Sequence, residues 1–341
     1  MSKLNIHQLT EAFSKLGEYL THPDDELTEM ISSERQYNAW FTIGNVTRAI
    51  KAIGHTLTED NLREWLSKYK YDEKATAKKV GLILAGNIPM VGFSDVLCVL
   101  ASGNFALIKA SSQDSRLIAF VLQKLAAIQA AFANRFSFVD RLEGFDAVIA
   151  TGSNNTSRYF EYYFGKVPHI IRKNRNSVAV LTGDETESQL YQLGHDIFDY
   201  FGLGCRNVSK LLVPRDYDFT FFFESIQPFQ TIADHHKYCN NYDYNKSIYL
   251  VNGEKHLDNG FLLVKEDAHW VSPLAVLYYA YYDDIASTEK IINDEADHIQ
   301  CVVSGLPLKV SSQVVSFGQS QHPGLFDYAD DIDTMEFLSR L

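Results

Sequence analysis

The stretch Lys79-Val80-Gly81-Leu82-Ile83-Leu84-Ala85-Gly86-Asn87-Ile88-Pro89 decides the fold. Its apolar run has no polar alternation, the pattern of a strand covered on both faces in a parallel sheet. Gly86-Asn87-Ile88-Pro89 then breaks it. Downstream, Val91 to Leu100 reads as a helix, Ala106 to Lys109 as a second strand and Asp114 to Phe132 as a long helix. Asp146 to Ala150 is a third strand, followed by Thr151-Gly152-Ser153 and a helix over Ser157 to Phe164. Ser177 to Leu181 is a fourth. Strands alternating with helices predict parallel βαβ units. Ligands of such sheets sit at the carboxyl ends of the strands. The polar tips Gly86-Asn87, Lys109 and Thr151-Gly152-Ser153 all fall at such ends.

Upstream, residues 1 to about 75 read as helices, with Leu9, Phe13, Leu16 and Leu20 at helical spacing. Thr58-Glu59-Asp60-Asn61 opens another, with acids in its first turn. Downstream, a helix over Glu187 to Phe201 delivers Cys205, and Ser209 to Val213 follows as a strand. Further strand-like runs are Ser247 to Val251, Phe261 to Val264, Ala275 to Tyr282 and Gln300 to Val303, with Asn240 to Asn245 read as a polar loop. The acidic tail after Gln319 reads as a solvated end or an arm across a partner subunit.

The chain has 341 residues, a net charge of −12 and 46% hydrophobic residues. This length suits two domains. The acidic balance argues against nucleic acid, which calls for basic patches. The four cysteines are scattered without C-x-x-C spacing, so neither a disulfide framework nor a zinc site is expected. His235, His236 and His256 lack a third ligand at metal spacing, so no metal is expected. Met1-Ser2-Lys3-Leu4-Asn5 begins an amphipathic pattern rather than a signal peptide. No apolar run approaches the roughly 20 residues of a membrane helix. These features point to a soluble, reducing, cytoplasmic setting.

The candidate chemistry centres on Phe201-Gly202-Leu203-Gly204-Cys205-Arg206-Asn207-Val208. Two glycines before a thiol allow a sharp turn and leave clearance beside the sulfur. A thiolate attacking a carbonyl generates an oxyanion that needs neutral donors. Asn87 carries a suitable amide, and the backbone N–H of Cys205 is a natural second donor. Lys109 is a cation beside a ligand crevice. Thr151-Gly152-Ser153 before a helix offers N–H groups to a phosphate, although it is not a G-x-G-x-x-G fingerprint.

In this order, Gly86-Asn87-Ile88-Pro89, Lys109, Ala150-Thr151-Gly152-Ser153-Asn154-Asn155-Thr156, Arg172-Lys173-Asn174-Arg175-Asn176-Ser177 and the Cys205 stretch resemble the aldehyde dehydrogenase superfamily, more closely its LuxC-like acyl-CoA reductase branch. The resemblance runs from about residue 35 to the end. It implies an α/β, aldehyde-dehydrogenase-like fold with a helical N-terminal segment (1–78), a Rossmann-like NADP-binding domain (79–175), an α/β catalytic domain (176–305) and a C-terminal arm (306–341) that serves oligomerisation. The active site would lie between the two domains. Cys205 would attack an acyl thioester and expel coenzyme A, and the acyl-enzyme would take a hydride from a nicotinamide cofactor, giving an aldehyde. Asn87 would serve the oxyanion, Lys109 the adenosine ribose and Ser153 the pyrophosphate.

Three departures from the wider superfamily matter. Ile170 to Arg175 holds no carboxylate where hydrolytic members carry a general-base Glu, so reduction or thiol transfer is favoured over hydrolysis. Ser112 stands where NAD-preferring relatives place a ribose-binding Glu, which implies NADPH. No Glu stands immediately before Ser272-Pro273-Leu274-Ala275-Val276, the stretch that matches where aldehyde dehydrogenases carry a ribose-binding Glu. Arg172, Lys173 and Arg175 read either as an attractor for phosphates or as a solvated loop with local salt bridges. The leading expectation is an NADPH-dependent acyl-CoA reductase making fatty aldehydes, a homo-oligomer working beside an acyl-transferring or acyl-activating protein. Alternatives are another acyl donor (a carrier-protein thioester or acyl phosphate), a cysteine acyltransferase or thioesterase without hydride transfer, and a non-catalytic docking partner.

Overall fold

A computed structural model describes residues 4–70 and 76–341. Residues 1–3 and 71–75, the ends of the helical expectation, lie outside the described residues. The chain forms two compact units, one running to Asn174 and including Gly324–Leu341, the other Arg175–Pro323.

The first unit opens with α1 (Ile6–Thr21), α2 (Asp25–Ser33), α3 (Ile43–Thr56) and α4 (Glu59–Ser67). Helix α1 starts in a capping box, with Gln8 N donating to Asn5 Oδ1 and Asn5 N donating to Gln8 Oε1. Its buried stripe, Leu9, Phe13, Leu16 and Leu20, is the one the spacing predicts. Helices α1 and α3 cross closely: a Cβ on Gly54 would lie 2.9 Å from Gly17 O, so a larger residue would push the backbones apart.

The sheet of this unit holds β1 (Lys79–Ile83), β2 (Phe105–Lys109), β3 (Phe136–Phe138), β4 (Ala147–Thr151) and β5 (His169–Arg172). Between them run α5 (Phe93–Ala101), α6 (Ser115–Ile128) and α7 (Asn154–Phe164). Strand order is β3-β2-β1-β4-β5 and every pair is parallel. Chain direction across the sheet therefore reverses between β1 and β4, the switch point where such sheets open a crevice. Ile83 pairs with Lys109 on one side and with Ala150 on the other, which brings three strand ends together.

Residues 324–341, with α12 (Thr334–Ser339), return to this unit. Met335 and Leu338 enter its core. Trp65 Nε1 donates to Tyr328 OH at 2.7 Å, and Tyr69 OH donates to Asp333 at 2.8 Å. Tyr328 and Tyr69 are 2.6 Å apart, so Tyr328 supplies the proton between them.

The second unit contains β6 (Asn176–Val180), α8 (Glu187–Phe198), β7 (Val208–Pro214), α9 (Phe219–Ile226), α10 (His236–Asn252), β8 (Leu257–Asp258), β9 (Leu263–Glu266), β10 (Val276–Tyr282), α11 (Ile285–Asp294), β11 (Ile299–Ser304) and β12 (Gln313–Val315). Its sheet order is β12-β11-β6-β7-β10-β9-β8, parallel except for the β8–β9 edge pair. Helix α10 corrects two expectations, because it contains both the polar stretch Asn240–Asn245 and the strand-like Ser247–Val251. Its buried side chains, Tyr238, Tyr242, Asn245 and Tyr249, follow helical spacing. Leu250 and Val251 are exposed while Tyr249 is buried, so the apolar run that looked like a strand straddles the solvent and core faces of a helix. No helix among the described residues is long and apolar enough to cross a membrane.

Candidate active site

In the first unit the loop after β1 carries Asn87, exposed at its tip. A Cβ at Gly86 would meet Ser111 Oγ at 2.5 Å, so this loop passes directly against the one that follows β2. Met90 sits in the left-handed region (φ 61°), and its N–H donates to Asp114 Oδ2 at 2.7 Å. Asp114 precedes α6 without capping it; its carboxyl turns to the Asn87 loop instead. Burial pushes this carboxyl up to about 8, the Met90 N–H works against the shift, and the Glu34 carboxylate adds to it. Oδ1 is buried with no hydrogen-bond partner, so the shifted acid is held mostly neutral at pH 7.

Lys109 closes β2 with its side chain exposed, and Ser112 is exposed on the loop beyond. Thr151 ends β4, and Ser153 caps α7, its Oγ accepting from Thr156 N at 3.2 Å. A Cβ at Gly152 would lie 2.8 Å from Phe160 Cε2, so only glycine lets the strand end lie this close to α7. Asn87, Lys109, Ser112, Thr151, Gly152 and Ser153 thus cluster at one end of one parallel sheet.

In the second unit Cys205 is half-buried just before β7. Asn207 N donates to Gly204 O at 3.1 Å, closing a turn with Cys205 and Arg206 at its central positions. The chain reaches this turn through three consecutive left-handed residues, Tyr200 (φ 54°), Phe201 (φ 60°) and Gly202 (φ 76°). The two non-glycine members cost about 1–2 kcal/mol each. Helix α8 consequently stops at Phe198, three residues short of its expected end. A Cβ at Gly202 would approach nothing closer than 3.5 Å. This glycine makes the backbone reversal expected of it.

The hinge is held by polar groups. Asn207 Nδ2 donates to the carbonyls of Asp196, Ile197 and Asp199 at 3.1, 3.3 and 2.8 Å, and Asn207 Oδ1 accepts from Gly204 N at 2.8 Å. Ser177 Oγ donates to Cys205 O at 3.1 Å. The guanidinium of Arg206 donates to Ser320 O and to Gln313 Oε1. Ser320 and Gly318 donate their N–H groups to Asp196 at 2.9 and 2.6 Å. Burial still raises that carboxyl to about 6.

Cys98 and Cys301 are buried, and burial raises the Cys98 thiol well above its ordinary value. Cys239 lies on α10, its thiol raised by burial and by Asp243. Cys205 is the cysteine placed on a turn at a strand end.

The basic stretch is held by local pairs, but it is not a solvated loop. Arg172 lies on β5 with its guanidinium buried on Asp95, Nη2 to Oδ1 at 2.7 Å and Nε to Oδ2 at 3.3 Å. It also reaches Thr334 Oγ1 and Ala329 O. Lys173 pairs with Glu161 at 3.2 Å, and Arg175 donates to the carbonyls of Ala296 and Ile299. Asn207, Asp196 and Asp114 are the functional-loop residues that sequence reasoning did not single out. The only signal was type: an Asn and two Asp beside chain reversals.

The chain has the aldehyde dehydrogenase fold. It is similar to indole-3-acetaldehyde dehydrogenase AldA of P. syringae (TM-score 0.68, 14% identity, covering 94% of this chain and 77% of that one). It is also similar to aldehyde dehydrogenase 21 of Physcomitrella patens (TM-score 0.69, 14% identity, 99% and 85%). A third similar structure is NADP-dependent glyceraldehyde-3-phosphate dehydrogenase of Bacillus halodurans C-125 (TM-score 0.62, 14% identity, 92% and 78%). No curated protein matches the sequence significantly. Residues 13–217 match the acyl-CoA reductase (LuxC) family, a span that includes Asn87, Lys109, Ser153 and Cys205. The chain belongs to that family and is an oxidoreductase acting on aldehydes or acyl groups.

Proposed function

We propose that the protein reduces an acyl-CoA thioester to a fatty aldehyde with NADPH, through an acyl group held on Cys205. The observation that carries this reading is the thiol itself, on a turn fixed from both sides in a member of the acyl-CoA reductase family. The Cys205 thiolate attacks the thioester carbonyl; the new C–S bond forms as the bond to coenzyme A breaks. Coenzyme A leaves as a thiolate and takes up the proton that the Cys205 thiol gave up. Asn87, a neutral donor, and the Cys205 N–H serve the oxyanion of that step.

The donor set of the first unit suits a dinucleotide. It offers one cation (Lys109), hydroxyls (Ser112, Thr151, Ser153) and the positive end of α7 at the switch point of a parallel sheet. The neighbouring solved proteins include one bound to NAD+ and one to NADP. Bound there, a nicotinamide supplies the hydride for the acyl group. Ser112 is neutral, so it does not oppose a 2′-phosphate. Residues 170–175 contain no carboxylate, and Arg172 is turned inward on Asp95, so no base from this stretch activates water against the acyl-enzyme.

The test is NADPH oxidation across a panel of acyl-CoA chain lengths, with an acyl phosphate arm, for wild type beside Cys205→Ala. Aldehyde formation lost in Cys205→Ala is expected; equal rates in the two proteins remove Cys205 from the mechanism. Acyl transfer that persists without nicotinamide, with no aldehyde in its presence, replaces the reductase with an acyltransferase. A tenfold preference for NADH, about 1.4 kcal/mol, overturns the cofactor assignment.

A further inference from the structure

We propose that Asn207 is the positioning residue for Cys205, tying the thiol-bearing turn to the end of α8 through both halves of its side-chain amide. The proposal rests on the reading of Cys205 as the nucleophile. Asn207 is 3% exposed, and its side chain works in two directions. The NH2 group faces the carbonyls of Asp196, Ile197 and Asp199, where α8 ends and the chain turns. The oxygen takes Gly204 N–H, the residue immediately before the thiol. Between these anchors run Tyr200, Phe201 and Gly202, a short left-handed turn in which Leu203 N donates back to Tyr200 O at 3.2 Å. A single amide thus closes the loop from Asp199 to Gly204 across its base.

No other side chain of similar size does both. Aspartate lacks the donors, serine has one hydroxyl, and leucine has neither function. Gln is a methylene longer and would push Gly204 away from the α8 carbonyls. On the far side the turn is already fixed, since Ser177 holds Cys205 O, and Arg206 is held by Ser320 and Gln313. With Asn207 in place the sulfur inherits its position from α8 and β7. Without it, the turn pivots about the Ser177 and Arg206 contacts and the sulfur moves. Misplacement of a reacting atom by about 1 Å costs about 100-fold in rate. Substrate binding, which depends on other groups, is left as it was.

The experiment is single-turnover acylation of the full chain by an acyl-CoA, read by intact mass. Wild type, Asn207→Asp, Asn207→Ser and Cys205→Ala are compared from pH 5.5 to 8.5. In Asn207→Asp the introduced carboxylate keeps the acceptor for Gly204 but points negative charge at three carbonyls. It sits near Asp196, Asp199, His195 and Arg206, so rates are taken relative to wild type at each pH. We expect half-saturating acyl-CoA within threefold of wild type. The saturated rate should be down about 100-fold at pH 8. It should recover toward pH 5.5, where the protonated carboxyl regains one donor. Asn207→Ser should show a smaller loss, flat with pH. A rate within threefold of wild type at every pH, with Cys205→Ala taking up no acyl mass, overturns the positioning role and leaves the nucleophile standing. If Cys205→Ala gains acyl mass as wild type does, the nucleophile reading itself has failed. Where Asn207→Asp does not fold, Asn207→Ser decides: a shift in half-saturation with an unchanged saturated rate overturns the proposal.

Discussion

Raising the pH should loosen the unit that carries Asn87, through one carboxyl. Asp114 is 4% exposed, and burial lifts its pKa from 3.8 to about 8. An acid whose folded pKa is raised favours the folded state fully below its unfolded pKa, and that contribution is lost as pH rises through the folded value. The window therefore runs from about pH 4 to about pH 8. A shift of this size corresponds to a loss on the order of 5 kcal/mol across the window, at 1.36 kcal/mol per pKa unit. Asp114→Asn keeps an oxygen for Met90 N–H and places an amide where Oδ1 now lacks a partner. Near pH 5 the folded carboxyl is neutral, and the variant should lie within about 1 kcal/mol of wild type. By pH 9 it should be more stable than wild type by on the order of 4 kcal/mol. The assay is urea unfolding by tryptophan fluorescence in a Trp270→Phe background, which leaves Trp40 and Trp65 of the first unit as reporters. Parallel pH curves for the two proteins would refute the reasoning, because Asp114 would then titrate alike in the folded and unfolded chains.

Arg172→Met should destabilise the first unit by about 3–5 kcal/mol, since it strands the buried Asp95 carboxylate. Faster hydrogen exchange across residues 324–341 should accompany the loss, because Ala329 and Thr334 share that guanidinium, and an unchanged melting temperature would contradict it. Asp196, raised to about 6, should make the second unit less stable as pH climbs from about 4 through 6, by on the order of 3 kcal/mol in all. Hydrogen exchange at α8 amides, corrected for intrinsic rates, should show that slope in wild type and not in Asp196→Asn; an equal slope in both assigns the titration elsewhere.

The strands were legible wherever burial on both faces leaves a pure apolar run, as in Val80–Leu84, Ala147–Ala150 and Val178–Leu181. Strand β5 was not, because Arg172 looks solvated until Asp95, 77 residues earlier, is packed against it. Helix α10 was hidden because its inner stripe is made of Tyr and Asn, which bury their rings and satisfy their polar ends locally. Tyr242 OH donates to Asp258, and Asn245 donates to Leu274 O. The thiol and its glycine turn were visible, but the left-handed Tyr200 and Phe201 that lead into it were not, since neither residue type announces a positive φ. Asn207 stood in plain view two residues after Cys205. Its acceptors are helix-end carbonyls that exist only once α8 terminates at Phe198.

The Asn87 loop and the Cys205 turn are held by the same physical device. Each leaves regular structure through residues with positive φ, Met90 in one unit and Tyr200 to Gly202 in the other. Each is then caught by a buried polar side chain from an adjoining segment, Asp114 for the first and Asn207 for the second. A hydrophobic clamp would be cheaper in desolvation, yet it has no direction, whereas an amide or carboxyl fixes a backbone N–H to within a few tenths of an ångström. The cost is visible in the two raised carboxyls, Asp114 and Asp196, which the fold keeps in spite of burial. A protein selected for stability alone would replace both with apolar residues and let the loops relax. Retaining them makes sense when the geometry of the loops matters more than the stability of the units.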